Sequence, residues 1–216
     1  MTTMGLPAIK PYALPEPEEL PQNRVDWRVD PARAVLLVHD MQNHFLDAFP
    51  RADSPLPAVL ANIDALRKHC TAAGIPVVFT AQPGGQSQDE RGLLLDFWGN
   101  GLPSERRAES IVDELAPAPT DIVMTKWRYS AFVRTDLAEF LGERDQLIVT
   151  GVYGHIGVLT TALDAFMREV KPFVVADAVA DFSRADHLAA LHHVAQRCGH
   201  VLTTATLVDA LLGVAS

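Results

Sequence analysis

Six short aliphatic runs alternate with longer helical patterns along this chain, and this alternation restricts the fold more than any other sequence feature. The strands that we predict span 34–40, 76–82, 121–127, 146–152, 172–181 and 200–206. Strands that are apolar throughout are buried on both faces, which is typical of a parallel sheet covered by helices on each side. Because crossover connections are right-handed, we expect a single α/β domain with a doubly wound, mostly parallel six-stranded sheet, a Rossmann-like three-layer sandwich.

The segments outside this alternation have their own patterns. Residues 1–31 are rich in proline, which predicts an extended N-terminal arm lying on the surface of a domain that spans 32–216. The helical pattern after the fifth strand opens with Ser183, and we expect this serine to cap the helix, with Asp186 three residues later. The long connection 82–104 is of the kind that often forms a functional lid.

Composition limits the classes of function. The net charge of −9 argues against a nucleic-acid or anionic-membrane partner, but a small anionic substrate needs only a few local Lys or Arg side chains. No apolar run approaches the ~18 residues of a membrane span, and the N-terminus lacks a signal-peptide pattern. Cys70 and Cys198 have no metal or redox spacing and are expected to be small buried hydrophobes. We therefore expect a cytoplasmic protein.

Polar side chains follow four of the predicted strands. Asp40 ends the first strand and Gln82 the second, Lys126 and Tyr129 follow the third, and Tyr153 follows the fourth. Ligands bind beyond the carboxyl ends of strands in open parallel sheets, so we expect these side chains to converge on one cleft. Two structural alternatives stay open: Asp40 as a helix cap or a purely structural partner of Lys126, and Gln82 as a partner of loop backbone.

An acid and an ammonium group from nearby strands form a natural pair for proton transfer. Lys126 would orient Asp40, and burial would tune when the acid holds its proton. A nucleophilic side chain as a third member would make the set a covalent hydrolase. Such a nucleophile is expected where the helix after the fourth strand begins, because the amides there stabilise a thiolate and an oxyanion.

Six segments carry a family resemblance that extends over nearly the whole chain. They are VLLVHDMQ, TAQP, RGLLLDFWG, TKWRYSAF, GVYGHIGV and VADAVADFS. They resemble the isochorismatase-like (cysteine hydrolase) superfamily, and within it the isochorismatases of siderophore pathways and the phenazine-pathway vinyl-ether hydrolase. Amidase members such as nicotinamidases keep a catalytic cysteine where this chain has Gly157. The resemblance therefore implies hydrolysis without a covalent intermediate.

The resemblance also implies a mechanism. The aspartate that matches Asp40 is the general acid that protonates the terminal methylene carbon of the enolpyruvyl vinyl ether of isochorismate, and the lysine that matches Lys126 pairs with it. Water then attacks the oxocarbenium, and the hemiketal collapses to pyruvate and 2,3-dihydro-2,3-dihydroxybenzoate. One alternative is 2-amino-2-deoxyisochorismate, which gives trans-2,3-dihydro-3-hydroxyanthranilate. An alternative of another class is an inactive scaffold that docks a carrier protein.

Seven further residues match the family's substrate pocket: Phe45, Gln82, Arg91, Trp98, Tyr129, Tyr153 and Gly157. Arg91 is expected to bind a carboxylate bidentately and Trp98 to exclude solvent, against the alternatives of a solvated lid charge and plain core packing. We expect the dry, apolar setting of Asp40 to raise its pKa so that it keeps a proton near neutral pH. Lys126 lowers this pKa, and we expect the substrate's carboxylates to offset the effect of Lys126.

The remaining expectations concern metals, partners and backbone. His39, His44 and His155 lie near the cleft, but no Asp-x-His pattern of the nicotinamidase kind follows the first two strands, so we predict no metal and no cofactor. His192, His193 and His200 are expected on the surface or in packing positions. The resemblance implies a homodimer, a non-proline cis peptide after the fourth strand and, because no carrier-protein domain is recognised, a separate aryl carrier protein.

Overall fold

Six parallel strands form the centre of the fold in this computed structural model, which describes residues 6–213. They are β1 (Ala34–His39), β2 (Val77–Ala81), β3 (Ile122–Thr125), β4 (Gln146–Val152), β5 (Lys171–Ala180) and β6 (His200–Leu202). Their order across the sheet is β3-β2-β1-β4-β5-β6, and each neighbouring pair is parallel. The chain moves outward from β1 in both directions, so the predicted doubly wound fold is confirmed.

Helices cover both faces of this sheet except at the edge strand β3, where Ile122 and Val123 are 39% and 53% exposed, so the expectation of burial on both faces was wrong for this strand. The helices are α1 (Asn43–Leu46), α2 (Leu56–Ala72), α3 (Gln88–Arg91), α4 (Leu94–Trp98), α5 (Arg106–Glu109), α6 (Leu137–Leu141), α7 (Leu159–Met167), α8 (Arg184–Arg197) and α9 (Thr204–Leu212). Successive β1 residues face opposite layers: Leu36 shares a buried cluster with side chains of α2 and α9, and Leu37 shares another with α6, α7 and α8. No helix within residues 6–213 is long and apolar enough to cross a membrane.

The register of the central strands brings their carboxyl ends level. His39, the last residue of β1, pairs with Thr80 on one side and with Gly151 on the other. Gly151 has a φ of +101°, and a Cβ there would lie 2.1 Å from the His39 carbonyl oxygen, so glycine is required at this close approach. The residues that follow each strand therefore start from one edge of the sheet.

Two sequence predictions about element ends had different outcomes. The strand expected over 200–206 was wrong beyond Leu202, because the Thr203 hydroxyl accepts a hydrogen bond from the Thr206 amide and caps α9. This local capping bond outweighs the β-propensity of the threonines. The cap predicted at Ser183 is confirmed, since its hydroxyl accepts from the Asp186 amide at 3.1 Å.

The arm from residue 6 to residue 31 contains one short 3₁₀ turn, Pro17–Glu19, and packs its apolar side chains against the domain core. The expectation for residues 1–5 lies outside the described residues. The Tyr12 hydroxyl accepts a hydrogen bond from the buried Asp181 amide at 2.8 Å and lies 3.3 Å from His187 Nδ1. Both free cysteines are buried, as predicted.

Replacing Tyr12 with phenylalanine tests the attachment of the arm. The change leaves the Asp181 amide without its acceptor, and we expect the free energy of unfolding to fall by about 1–3 kcal/mol. Urea denaturation of the wild type and the variant measures the difference, with Glu18→Gln on the exposed face of the arm as the control. Equal stabilities for Tyr12→Phe and the wild type would contradict the anchoring role of this hydroxyl.

Candidate active site

Asp40 leaves β1 in a left-handed backbone conformation, with a φ of +52°. The Thr80 side chain on β2 holds this turn at two atoms: its hydroxyl accepts from the Asp40 amide at 3.1 Å and donates to Asp40 Oδ1 at 2.6 Å. Thr80 is fully buried. One hydroxyl therefore fixes both the backbone and the carboxylate of Asp40.

The other carboxylate oxygen, Oδ2, receives two more donors. Lys126 Nζ lies 2.9 Å from Asp40 Oδ2, and Gln82 Nε2 donates to the same oxygen at 2.9 Å. Lys126 is placed by its own amide, which continues the sheet pattern by donating to the Ala81 carbonyl at 2.9 Å. The side chains of Asp40 and Lys126 are 5% and 2% exposed, so the ion pair is buried.

These partners decide the protonation of Asp40 in the free protein. Burial is the largest single influence and raises the pKa of Asp40, but Lys126, His39 and the hydrogen bonds from Thr80 and Gln82 together bring it below its ordinary value of 3.8. The expectation of a raised pKa was therefore wrong for the protein without substrate. Lys126, Thr80 and Gln82 all donate to the carboxylate, so the site stabilises the ionised form.

Arg91 lies in the long connection and is 4% exposed, so it is not a solvated lid charge. Its Nε donates to the Gly99 carbonyl at 2.9 Å, and neither terminal nitrogen has a hydrogen-bond acceptor among the described residues. A Cβ at Gly101 would lie 2.6 Å from Arg91 Cζ, so this glycine leaves the space that the guanidinium occupies. Arg128 Nη1 donates to the Glu90 carbonyl at 2.7 Å, which attaches this part of the connection to the end of β3.

An aromatic wall completes the cavity. Trp98 Nε1 donates to the Tyr129 hydroxyl at 2.6 Å, and the Tyr153 hydroxyl donates to the Phe45 carbonyl at 2.7 Å. Tyr153 is one of the residues that line the cavity. The Phe182 ring lies 4.5 Å from the Tyr153 ring, centroid to centroid. The Val152–Tyr153 peptide is cis, as the family resemblance implied.

The structure brings every site residue predicted from the sequence to one cavity. The lining includes Asp40, Phe45, Gln82, Arg91, Trp98, Lys126, Tyr129, Tyr153 and Gly157. His39 and His44 also line it, whereas His155 binds Asp181, with 2.6 Å between its Nδ1 and Oδ1. Sequence reasoning missed Phe182, which follows β5, although the rule of strand ends applied to the fifth strand would have indicated it.

Charges in the cavity favour an anionic ligand. Arg91, Lys126 and Arg128 line it against the carboxylate of Asp40, so the cations outnumber the anion within the described lining. His39 adds no charge near neutral pH, because burial lowers its pKa to about 4. No group of three or more His, Cys, Asp or Glu side chains within residues 6–213 is arranged to hold a metal ion.

The fold and the site together define the class of protein. The parallel α/β fold matches structures of isochorismatase-like hydrolases, and a cysteine hydrolase from Pseudomonas syringae pv. phaseolicola matches it with a TM-score of 0.79. The two sequences are 26% identical, and the match covers 89% of this chain and 98% of the cysteine hydrolase.

Sequence comparison specifies the family. A family model described as "Isochorismatase domain" matches residues 34–206. The isochorismatase of Bacillus subtilis is 54% identical over 96% of this chain and 67% of its own length. Enterobactin synthase component B of Escherichia coli is 51% identical over 96% of this chain and 73% of its own length. Phenazine biosynthesis protein PhzD of Pseudomonas fluorescens is 48% identical over 94% of this chain and 99% of its own length. The chain therefore belongs to the isochorismatase family of hydrolases.

The buried neutral His39 predicts a specific loss of stability in acid. Its pKa is lowered by burial from 6.5 to about 4, so the unfolded chain takes up a proton that the folded chain does not between these pH values. This group alone should lower the free energy of unfolding by ~3 kcal/mol as the pH falls through that window.

Denaturant unfolding at several pH values between 7 and 4 measures this effect. The free energy of unfolding of the His39→Asn variant should depend less steeply on pH than that of the wild type. The exposed His192→Asn variant serves as the control and should follow the wild-type slope. Parallel curves for His39→Asn and the wild type would mean that His39 is not held neutral by the fold.

Proposed function

We propose that this enzyme hydrolyses the enolpyruvyl vinyl ether of isochorismate to pyruvate and 2,3-dihydro-2,3-dihydroxybenzoate. The observation that carries the proposal is the buried Asp40–Lys126 pair, 2.9 Å apart, facing a cavity in which residue 157 has no side chain. The pair is suited to proton transfer, and Gly157 supplies no nucleophile. Vinyl-ether hydrolysis by protonation of carbon needs the first and not the second.

Binding of the substrate leads to protonation of Asp40, which is ionised in the free protein. Isochorismate carries two carboxylates, and Arg91 and Lys126 are the buried cations that bind them. The added negative charge near Asp40 partly neutralises the field of Lys126, which raises the pKa of Asp40. Asp40 then takes up a proton from solvent as the substrate enters.

The chemical step follows from this position. The proton leaves the Asp40 carboxyl for the terminal methylene carbon, and the electron pair of the double bond forms the new C–H bond. The adjacent carbon becomes an oxocarbenium, water adds to it, and the water's proton returns to the Asp40 carboxylate. The bond between the pyruvyl carbon and the ether oxygen then breaks as the hemiketal hydroxyl loses its proton. The ether oxygen takes up a proton and stays on the ring as a hydroxyl of the dihydrodiol, and pyruvate is released.

The walls of the cavity support this chemistry. Arg91 offers both terminal nitrogens to one carboxylate and so fixes the orientation of the substrate. The rings of Trp98, Tyr129 and Tyr153 limit access of bulk water, which strengthens the electrostatic interactions around Asp40. The connection 82–104, which carries Arg91 and Trp98, is the lid of the site in this proposal.

The proposal of a second candidate substrate is supported by one relative. Phenazine biosynthesis protein PhzD is 48% identical over nearly its whole length, which favours 2-amino-2-deoxyisochorismate as the alternative. Replacing a hydroxyl with an amine leaves the vinyl ether and both carboxylates unchanged. The same residues then perform the same reaction, and the product is trans-2,3-dihydro-3-hydroxyanthranilate.

We also propose a setting for the enzyme. One relative is by its name a component of enterobactin synthase, which supports delivery of the product to a separate aryl carrier protein in siderophore or related secondary metabolism. We further propose a homodimer that acts in the cytoplasm without a metal or another cofactor.

Pyruvate release tests the proposed function. Purified protein is given isochorismate, 2-amino-2-deoxyisochorismate or chorismate in separate reactions, and we expect the first to be turned over best. Asp40→Asn has the same shape but no acidic proton, so kcat should fall by a factor of about 100 to 10,000. The exposed Asp53→Asn variant is the control and should keep wild-type turnover.

Each outcome of this assay has a consequence. Preference for the amino substrate would keep the mechanism and change the pathway. Undiminished turnover by Asp40→Asn would remove Asp40 from the role of acid. No pyruvate from any of the three compounds would contradict the enzyme proposal and favour the scaffold.

The pH profile of kcat, which reports groups in the enzyme–substrate complex, tests whether protonated Asp40 is the active form. In Thr80→Val the carboxylate loses the donor to Oδ1, so the pKa of Asp40 rises. Activity that requires the protonated acid is lost above this pKa, and the alkaline limb of the profile should therefore move upward by about one pH unit.

A second buried threonine provides the matched control. Thr150 on β4 is fully buried, and its hydroxyl donates to the Leu37 carbonyl at 3.0 Å instead of to Asp40. Thr150→Val should leave the alkaline limb in place. An alkaline limb that stays fixed or moves downward in Thr80→Val would contradict the role of Asp40 as the acid.

A further inference from the structure

The His39 ring occupies the space directly beside Gly157. A Cβ built at Gly157 would lie 2.2 Å from His39 Cε1, 2.9 Å from Nε2 and 3.1 Å from Nδ1. Real Cβ atoms essentially never come within 3.0 Å of such atoms, and this one would do so at both Cε1 and Nε2, so no side chain fits at position 157 while His39 keeps its place. This contact lies inside the cavity, whose lining includes both residues.

The ring is held so that it does not move aside easily. Its Nδ1 lies 2.8 Å from the Val152 carbonyl oxygen and its Nε2 3.3 Å from the Tyr129 carbonyl oxygen. A neutral imidazole has one N–H and donates to one of these carbonyls, and the shorter distance favours Val152 as the acceptor. His39 is 1% exposed, so neighbouring residues surround the ring closely even though it borders the cavity. Its backbone is equally confined, because Gly151 approaches the His39 carbonyl closely on β4.

We infer that His39 determines the reaction class of this site by closing position 157 to a nucleophilic side chain. The inference deepens the proposed function and rests on it for the identity of the reaction that remains. In the proposed mechanism Asp40 is the general acid that protonates carbon, and His39 transfers no proton. The imidazole acts by occupying volume, and it keeps the Asp40–Lys126 pair from a third, covalent partner.

The inference has a chemical consequence for engineered variants. A cysteine at position 157 would stand beside the Asp40–Lys126 pair, where the ionised carboxylate accepts the thiol proton and the lysine stabilises the thiolate. With His39 in place this thiol has no room. With a small residue at 39, the sulfur can attack an ester carbonyl, form a thioester and expel the alcohol.

A double-mutant cycle on thermal stability tests the steric part without any substrate. We expect Gly157→Ala in the wild type to lower Tm by about 6 °C or more, and the same change in a His39→Ala background to lower it by less than half as much. Equal shifts in the two backgrounds would overturn the inference. If Gly157→Ala does not fold and His39→Ala/Gly157→Ala does, the coupling is shown directly.

Acylation by p-nitrophenyl acetate tests the chemical part. The thiolate forms a thioester with the acetyl carbon and p-nitrophenolate leaves, so the His39→Ala/Gly157→Cys variant should give a burst of about one equivalent per chain. Gly157→Cys should give no burst above the wild type, whose two native cysteines are buried with raised pKa values. Equal bursts in the single and double variants, or none in the double variant, would overturn the inference.

These readouts separate this inference from the proposed function. Neither the Tm cycle nor the ester burst depends on isochorismate, so both can succeed if pyruvate release fails. Conversely, a wild-type enzyme that releases pyruvate while His39 and Gly157 show no coupling would keep the proposed function and remove His39 from the control of the reaction class.

Discussion

The buried ion pair between Asp40 and Lys126 is the interaction on which the rest of the site depends. The strand order explains how it forms: Asp40 follows β1, Lys126 follows β3, and β2 lies between them. The β2 strand supplies Thr80 and Gln82, whose donors fill the space around the carboxylate. Removing either charge would leave the other buried and unpaired, which costs about 3–5 kcal/mol. Three adjacent strands therefore form one electrostatic unit.

In the proposed mechanism, this unit explains why Asp40 is ionised in the free protein although the reaction needs it protonated. The donors hold Asp40 in place and give it a low pKa while the cavity contains no substrate. The free protein thus avoids an acid that donates its proton without a substrate. We propose that a dianionic ligand bound by Arg91 and Lys126 raises the pKa of Asp40. The cavity is locally cationic although the whole chain carries a net charge of −9.

Much of the fold and of the site follows from the sequence because parallel strands end at one edge. This rule alone predicts that Asp40, Gln82 and Lys126 lie together. Residue types and spacing also predicted the cap at Ser183. The family resemblance supplied Arg91 and Trp98, which lie in a connection whose path no periodicity describes.

Other features depend on distances that a sequence does not contain. The direction in which the pKa of Asp40 shifts depends on how many donors reach its oxygens. Thr80 is one of these donors, but it lies in an apolar run, where the sequence pattern predicts only a core residue. The contact between His39 and Gly157 joins residues far apart in sequence, at 2.2 Å for a built Cβ. The start of α9 depends on one capping bond at Thr203, which the alternating pattern of the last strand obscured.

The most direct test of protonation at carbon is the fate of the oxygen in the bond that breaks. Isochorismate is hydrolysed in water enriched in oxygen-18, and the dihydrodiol is analysed by mass spectrometry. If Asp40 protonates the methylene carbon, water attacks the pyruvyl carbon, and the dihydrodiol keeps the substrate's own unlabelled oxygen. Label in the dihydrodiol would show that water attacks the ring instead, which contradicts the role of Asp40 as the general acid that protonates the methylene carbon.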